Sequence, residues 1–123
     1  MRKKITIGNK EYEMQSSAYT QFKYRDVTGR TLIKDLTELS KKQEKMSSKN
    51  DLTEQFEGID DFITTVLEIA YIMSSEAKSF TGTKEEFLMT IDNYLENADW
   101  IGEVVELAIS PLSRGIQTTE NKQ

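Results

Sequence analysis

Apolar and polar residues alternate at two places near the start of the chain, in residues 5–7 and again in residues 11–15. Between them stand Gly8 and Asn9, residue types that accept the positive φ required in two-residue hairpin turns. The pattern predicts a β-hairpin over residues 3–15. Because a lone hairpin is only marginally stable, its apolar side must pack on the following helices or pair with another chain. The candidate self-association residues are Ile5, Ile7, Tyr12 and Met14.

A helical pattern replaces the alternation after residue 15. Ser16 or Ser17 can cap the helix N-terminus, and Gly29 stands where a glycine commonly ends a helix. Tyr19 and Phe22 are three residues apart and therefore share one helical face, which favours a position in the core.

A second helix is predicted after Thr31, which is a suitable N-cap residue. Its apolar positions fall at helical spacing: Leu32, Ile33, Leu36 and Leu39. Residues 46–50 have no apolar period and are predicted to form a mobile loop.

The longest periodic pattern of the chain follows this loop. Seven apolar residues are spaced alternately four and three apart: Leu52, Phe56, Ile59, Ile63, Val66, Ala70 and Met73. This spacing is typical of a coiled-coil seam. Further apolar residues at 62, 67, 69 and 72 widen the stripe, which favours a buried central helix instead.

Two more helices are predicted in the last third of the chain. Residues 83–86 match a capping box, and the apolar residues from Phe87 to Leu95 follow it at helical spacing. The last helix is predicted to start after Asn97 or Asp99 and to end at Pro111. Its candidate partner-binding residues are Trp100, Ile101, Val104 and Val105.

These elements together predict a mainly α fold. An N-terminal hairpin packs on a bundle of about five helices around a central buried helix. Residues 1–112 form a single domain, and residues 113–123 are expected to be a flexible tail because they are almost entirely polar.

Composition narrows the function classes. The 123 residues include no histidine and no cysteine, which removes the commonest general base, the thiol nucleophile and the soft metal ligands. The six glycines form no phosphate-binding motif. We therefore expect a protein without enzymatic activity, cofactor or metal. The longest apolar run covers only residues 69–73, so we expect a cytoplasmic chain that does not enter a membrane.

Charge is distributed unevenly along the chain. Residues 1–50 hold 12 Lys and Arg against 6 Asp and Glu, a net charge of +6, whereas residues 51–123 hold 4 against 15, a net charge of −11. The two halves can pack on each other, copies can associate head to tail, or the basic half can contact nucleic acid. Residues 19–25 do alternate aromatic with basic residues, but the acidic sequence pI of 4.8 favours the first two interpretations.

Four segments, taken in their order along the chain, resemble a known family. They are residues 5–12 (ITIGNKEY), 24–32 (YRDVTGRTL), 62–73 (FITTVLEIAYIM) and 83–88 (TKEEFL). Together they resemble the tail assembly chaperones of long-tailed phages and prophages of Gram-positive bacteria.

The resemblance implies a non-catalytic assembly factor in the bacterial cytoplasm that is absent from the finished virion. Such a factor binds the long, hydrophobic tape measure protein and keeps it soluble while tail tube subunits polymerise around it. The implied partners are therefore the tape measure protein, the tail tube protein as a second candidate, and further copies of the same chain. The alternative function is a small regulatory or nucleic-acid-contacting protein that uses the basic half.

Overall fold

The computed structural model describes the backbone of residues 1–48 and 52–121, and the side chains of residues 1–39, 41 and 61–112. Within these residues the chain forms one antiparallel hairpin followed by five helices, which confirms the predicted mainly α fold. The elements are β1 (Arg2–Ile7), β2 (Lys10–Gln15), α1 (Ala18–Thr28), α2 (Leu32–Ser48), α3 (Leu52–Glu76), α4 (Lys84–Met89) and α5 (Asp99–Asn121).

The hairpin turn is formed by Gly8 and Asn9. Ile7 pairs with Lys10, and Gly8 has a φ of 63° whereas Asn9 has a negative φ, as in a type II′ turn. A Cβ added to Gly8 would lie 1.6 Å from the carbonyl oxygen of Asp92. The turn therefore packs directly on the backbone of the segment that follows α4.

Helix α1 begins and ends as the sequence predicts. The Ser17 side chain caps its N-terminus, and Gly29 follows its C-terminus in the left-handed conformation with a φ of 76°. However, Tyr19 and Phe22 are 56% and 65% exposed, so the prediction that they belong to the core is wrong.

Helix α1 docks through a different side, one that carries polar groups. Its buried residues are Thr20 and Tyr24, four positions apart on the side opposite Tyr19 and Phe22. The Thr20 hydroxyl donates a hydrogen bond to Glu76 of α3. Because this interface contains hydroxyl groups, apolar periodicity did not identify the buried side.

Helix α3 is the central helix of the fold, as predicted. It contacts β2, α1, α2, α4 and α5. Its described heptad residues Ile63, Val66, Ala70 and Met73 are all buried, as are the neighbouring Phe62, Ile69 and Ile72. The heptad positions Leu52, Phe56 and Ile59 lie outside the residues whose side chains are described.

Three helices differ in length from the prediction. The Thr83 capping box is present, but α4 ends at Met89 rather than continuing to Leu95. The carbonyl of Phe87 accepts hydrogen bonds from both the hydroxyl and the amide of Thr90, three positions later, so the helical bonding pattern stops at this point.

Helix α5, by contrast, continues through Pro111 to Asn121. Proline cannot donate to Leu107, the residue four positions earlier, and the Ser110 hydroxyl bonds that carbonyl at 2.9 Å instead. The prediction that this helix ends at Pro111 is therefore wrong. The backbone of this last segment is helical through Asn121. The flexibility of residues 113–123 stays a prediction.

Helix α2 also extends further than predicted. It ends at Ser48, so residues 46–48 are helical rather than part of a loop, and residues 49 and 50 lie outside the described backbone. Lysine and glutamate residues in this stretch favour helix continuation even without an apolar period.

Candidate interaction site

The predicted self-association residues lie inside the folded chain. Ile5, Ile7 and Met14 have no exposed surface and Tyr12 is 8% exposed, because the inner face of the hairpin packs on α3 and α5. The Tyr12 ring stacks edge to face on Phe87 of α4 with ring centroids 5.3 Å apart. Self-association through these side chains stays a prediction, and it requires them to leave this core.

The predicted partner-binding residues are likewise buried inside the folded chain. Trp100, Ile101, Val104 and Val105 are all buried on the inner side of α5. The Trp100 indole also donates to the carbonyl of Tyr94 at 2.7 Å. Partner binding through them stays a prediction that likewise requires opening of the core.

The outward face of α1 carries two adjacent, exposed aromatic residues, Tyr19 and Phe22. The sequence pattern had placed both of them in the core. Tyr19 and Phe22 are one helical turn apart, and Lys23 and Arg25 follow Phe22 one and three positions later. We call Tyr19 and Phe22 the α1 aromatic pair. Further large apolar side chains that are more than one-third exposed are Met1, Val27, Ile33, Met89 and Leu95.

Two grooves run along α5 and meet at Ile109. The first has a volume of about 390 Å³ and lies between the start of β1 and α5. Its lining residues are Met1, Lys3, Glu103, Glu106, Leu107, Ile109 and Ser110. The second, of about 200 Å³, is lined by Ile33, Leu36 and Thr37 of α2 and by Ile109 and Leu112 of α5. The lining of the first groove includes the charged side chains of Lys3, Glu103 and Glu106, whereas the lining of the second is apolar except for Thr37.

The most extensive polar cluster of the described residues surrounds Glu68 of α3. Arg30 and Lys84 both pair with its carboxylate, Lys84 at 3.1 Å. Arg30 also pairs with Asp35 at 2.8 Å, and the Tyr24 hydroxyl donates a hydrogen bond to the Asp35 carboxylate. Two cations thus neutralise two carboxylates at the junction of four helices.

Protonation of this cluster follows from its packing. Burial raises the pKa of the Tyr24 phenol, and its hydrogen bond to Asp35 raises that pKa further. The hydrogen bond to Asp35 is also the main cause that raises the pKa of the Arg30 guanidinium. Both groups therefore stay protonated at neutral pH. Each charge has a partner, and the cluster ties the helices together.

A third carboxylate, that of Glu76, joins α3 to the N-terminus of α1. Ser17 and Thr20 each donate a hydroxyl hydrogen bond to Glu76 at 2.5 Å. A negative charge at this helix end also interacts favourably with the α1 dipole. Glu76 therefore has a structural role in positioning the helix that carries the α1 aromatic pair.

Within the described residues, no group of three or more carboxylates is arranged to hold a metal ion, and no helix is long and apolar enough to cross a membrane. Comparison with protein family models, with curated proteins and with solved structures found no match for this chain.

Proposed function

We propose that this protein is a tail assembly chaperone of a long-tailed phage or prophage. It binds the tape measure protein in the bacterial cytoplasm, keeps it soluble during tail assembly, acts in several copies without catalysis, and is absent from the virion. The family resemblance of the four sequence segments supports this function. The tail tube protein is the second candidate partner.

The observation that carries the proposal is the exposed α1 aromatic pair. Exposing large aromatic side chains is unfavourable in water, so adjacent exposed aromatic residues commonly mark a site that a partner covers. Tyr19 and Phe22 are more than half exposed on a helix whose opposite side is anchored through Thr20 and Tyr24. A hydrophobic client such as the tape measure protein offers the complementary apolar surface.

Co-expression tests the proposal directly. We expect the tape measure protein of the same phage to be insoluble alone, and to become soluble and co-purify when this chain is co-expressed. The double variant Tyr19→Ser and Phe22→Ser should lose co-purification while its melting temperature stays near that of the wild type. Met89→Ser is the matched control, because Met89 is 82% exposed but lies on α4. A client that stays insoluble with the wild-type chain would refute the function.

Action in several copies has a separate test. We expect weak association that increases with concentration and decreases with salt, because the charged halves attract and exposed charge pairs are screened. Sedimentation of the intact chain across concentration and ionic strength measures this. Deletion of residues 1–15 is not a suitable test, since it removes Ile5, Ile7, Tyr12 and Met14 from the core.

The exposed α1 aromatic pair also favours one alternative function, nucleic-acid binding. Aromatic side chains next to Lys23 and Arg25 can stack on bases and neutralise phosphates. If so, affinity for single-stranded DNA or RNA should fall steeply with salt and should be lost with Tyr19→Ser and Phe22→Ser. The chaperone proposal predicts no such binding near physiological salt.

A further inference from the structure

Hydrogen bonds in the hairpin alternate, so that every second residue of β1 directs its amide and carbonyl groups away from β2. Met1 and Ser16 exchange two main-chain bonds, at 2.9 and 2.8 Å, and are therefore a bonded pair. In an antiparallel ladder, bonded and non-bonded pairs alternate. The remaining residues of β1 that direct these groups outward are consequently Arg2, Lys4 and Thr6.

The two edges of this sheet are in different environments. On β2, the middle outward-facing residue is Glu13, and the Ser79 hydroxyl donates to its carbonyl at 2.6 Å. The loop after α3 therefore covers that edge. On β1, Arg2, Lys4 and Thr6 are exposed, and no other described residue bonds their outward main-chain groups. Within the described part of the chain, β1 is thus the open edge.

The larger groove borders this open edge. On the hairpin side, the groove is lined by Met1 and Lys3. No described residue of β2 lines it, not even Met14, which is paired with Lys3. The groove is therefore on the outer side of β1. Its volume of about 390 Å³ is within the range of ligand sites; Met1, Leu107 and Ile109 form its apolar part, and Glu103 and Glu106 also line it. Alternate side chains of an added strand would enter it.

Charge indicates what kind of strand fits. Arg2, Lys3 and Lys4 are consecutive, so antiparallel pairing of two β1 strands would bring like charges together. On the solvent face, Arg2 pairs with Glu13 at 2.5 Å, whereas Lys4 lies opposite Glu13 and interacts with it electrostatically but forms no ion pair with a described residue. An acidic residue on the added strand would give Lys4 a close partner on its other side.

We propose that the open edge of β1 binds an extended segment of the client, in which apolar residues alternate with acidic residues. The segment adds a third strand to the sheet through main-chain bonds to Arg2, Lys4 and Thr6. Its apolar side chains enter the groove beside α5, and its acidic side chains lie on the solvent face near Lys4. Only the identity of the client as the tape measure protein rests on the proposed function.

Amide hydrogen exchange measured by NMR tests the binding mode. The probe is a capped nine-residue peptide that alternates valine with glutamate, and its matched control has lysine in place of glutamate. We expect the glutamate peptide to slow exchange at the amides of Arg2, Lys4 and Thr6. Binding of the lysine peptide should be weaker because it places cations beside Lys4 and Arg2.

Lys4→Pro tests the hydrogen bonding itself. The Lys4 amide points outward, so proline removes a donor from the edge without removing a bond to β2. We expect peptide affinity to fall about tenfold, since an edge bond is lost and the ring obstructs the strand. The charge control is Lys4→Gln, which keeps the amide and should weaken binding only about twofold. Circular dichroism and melting temperature establish that each variant is folded, and Thr6→Pro replaces Lys4→Pro if that variant is not.

Three results would overturn the inference. The first is a folded Lys4→Pro variant that binds the glutamate peptide as tightly as wild type. The second is protection of the β2 amides Glu11 and Gln15 in place of the β1 amides. The third is protection of the β1 amides that rises with protein concentration without peptide, which identifies a second copy as the occupant. Failure of the wild-type chain to solubilise the tape measure protein refutes the proposed function but leaves the peptide result standing.

Discussion

Substitution of Gly8 by alanine should destabilise the fold more than the same substitution at Gly29. Both residues have a positive φ, 63° at Gly8 and 76° at Gly29. Alanine in this conformation costs roughly 1–2 kcal/mol, part of which is offset because glycine has more conformational freedom in the unfolded chain. We therefore expect Gly29→Ala to lower the free energy of unfolding by about 1 kcal/mol.

Gly8 carries an additional cost that Gly29 does not. The new Cβ would lie 1.6 Å from the Asp92 oxygen, whereas nothing lies within 4 Å at Gly29. The obstructing atom belongs to the backbone, so the turn must move away from the segment after α4. Overpacking of this kind costs about 1–3 kcal/mol, which gives Gly8→Ala a total of about 3 kcal/mol. That is a large part of the 5–15 kcal/mol typical of a domain.

Urea unfolding of the two variants measures this difference. Circular dichroism follows the helices, and the fluorescence of Trp100, the single tryptophan, follows the core. Because the glycine entropy effect is shared, the difference between the variants isolates the contact of the turn with Asp92. Equal losses of stability at both positions would refute the conclusion that the hairpin turn packs on this segment.

Three further predictions concern the core and its charges. Val66→Asp should unfold the chain, because it buries an unpaired carboxylate in α3 at a cost of several kcal/mol, and a normally folded variant would contradict the central position of α3. Stability should fall as the pH rises above about 10, since the Tyr24 phenol ionises there only in the unfolded chain, and Tyr24→Phe should reduce that fall in alkaline urea titrations. The pKa of Glu13 should lie below its ordinary value because Arg2 donates to its carboxylate. The contribution of this ion pair to the stability of the fold is therefore present at neutral pH and is lost as acid protonates Glu13. NMR titration should show the pKa of Glu13 returning towards normal in Arg2→Gln.

The candidate site was only partly predictable from sequence. The hairpin was predicted, but its apolar residues were assigned to association, whereas in the folded chain they belong to the core. The feature that remains at the surface is the main-chain edge of β1, which no side-chain pattern describes directly. Lysine at positions 3 and 4 was the available signal, since lysine on an edge strand discourages pairing with identical chains.

The α1 aromatic pair shows a second limit of the sequence patterns. Tyr19 and Phe22 lie three residues apart, as core residues often do, but α1 docks through Thr20 and Tyr24. Hydrogen bonds to Glu76, Asp35 and Arg30 satisfy the polar groups on that side. A polar interface of this kind depends on partners up to 56 positions away and leaves no apolar period.

The sequence by itself determined the features that depend on neighbouring residues. Gly8 specifies the turn, Ser17 and Thr83 cap helices, Gly29 ends α1, and the apolar stripe of α3 predicts its burial. Each of these rests on bonds or conformations within four residues, or on apolar content too large to leave exposed.

Tertiary structure decided the features that depend on distant atoms. Packing selected which side of α1 is buried, and Ser79 covered β2 at Glu13, 66 positions away, so that β1 became the open edge. A hydroxyl can bond many alternative carbonyls in an unfolded chain, and only the packed fold brings the right pair together.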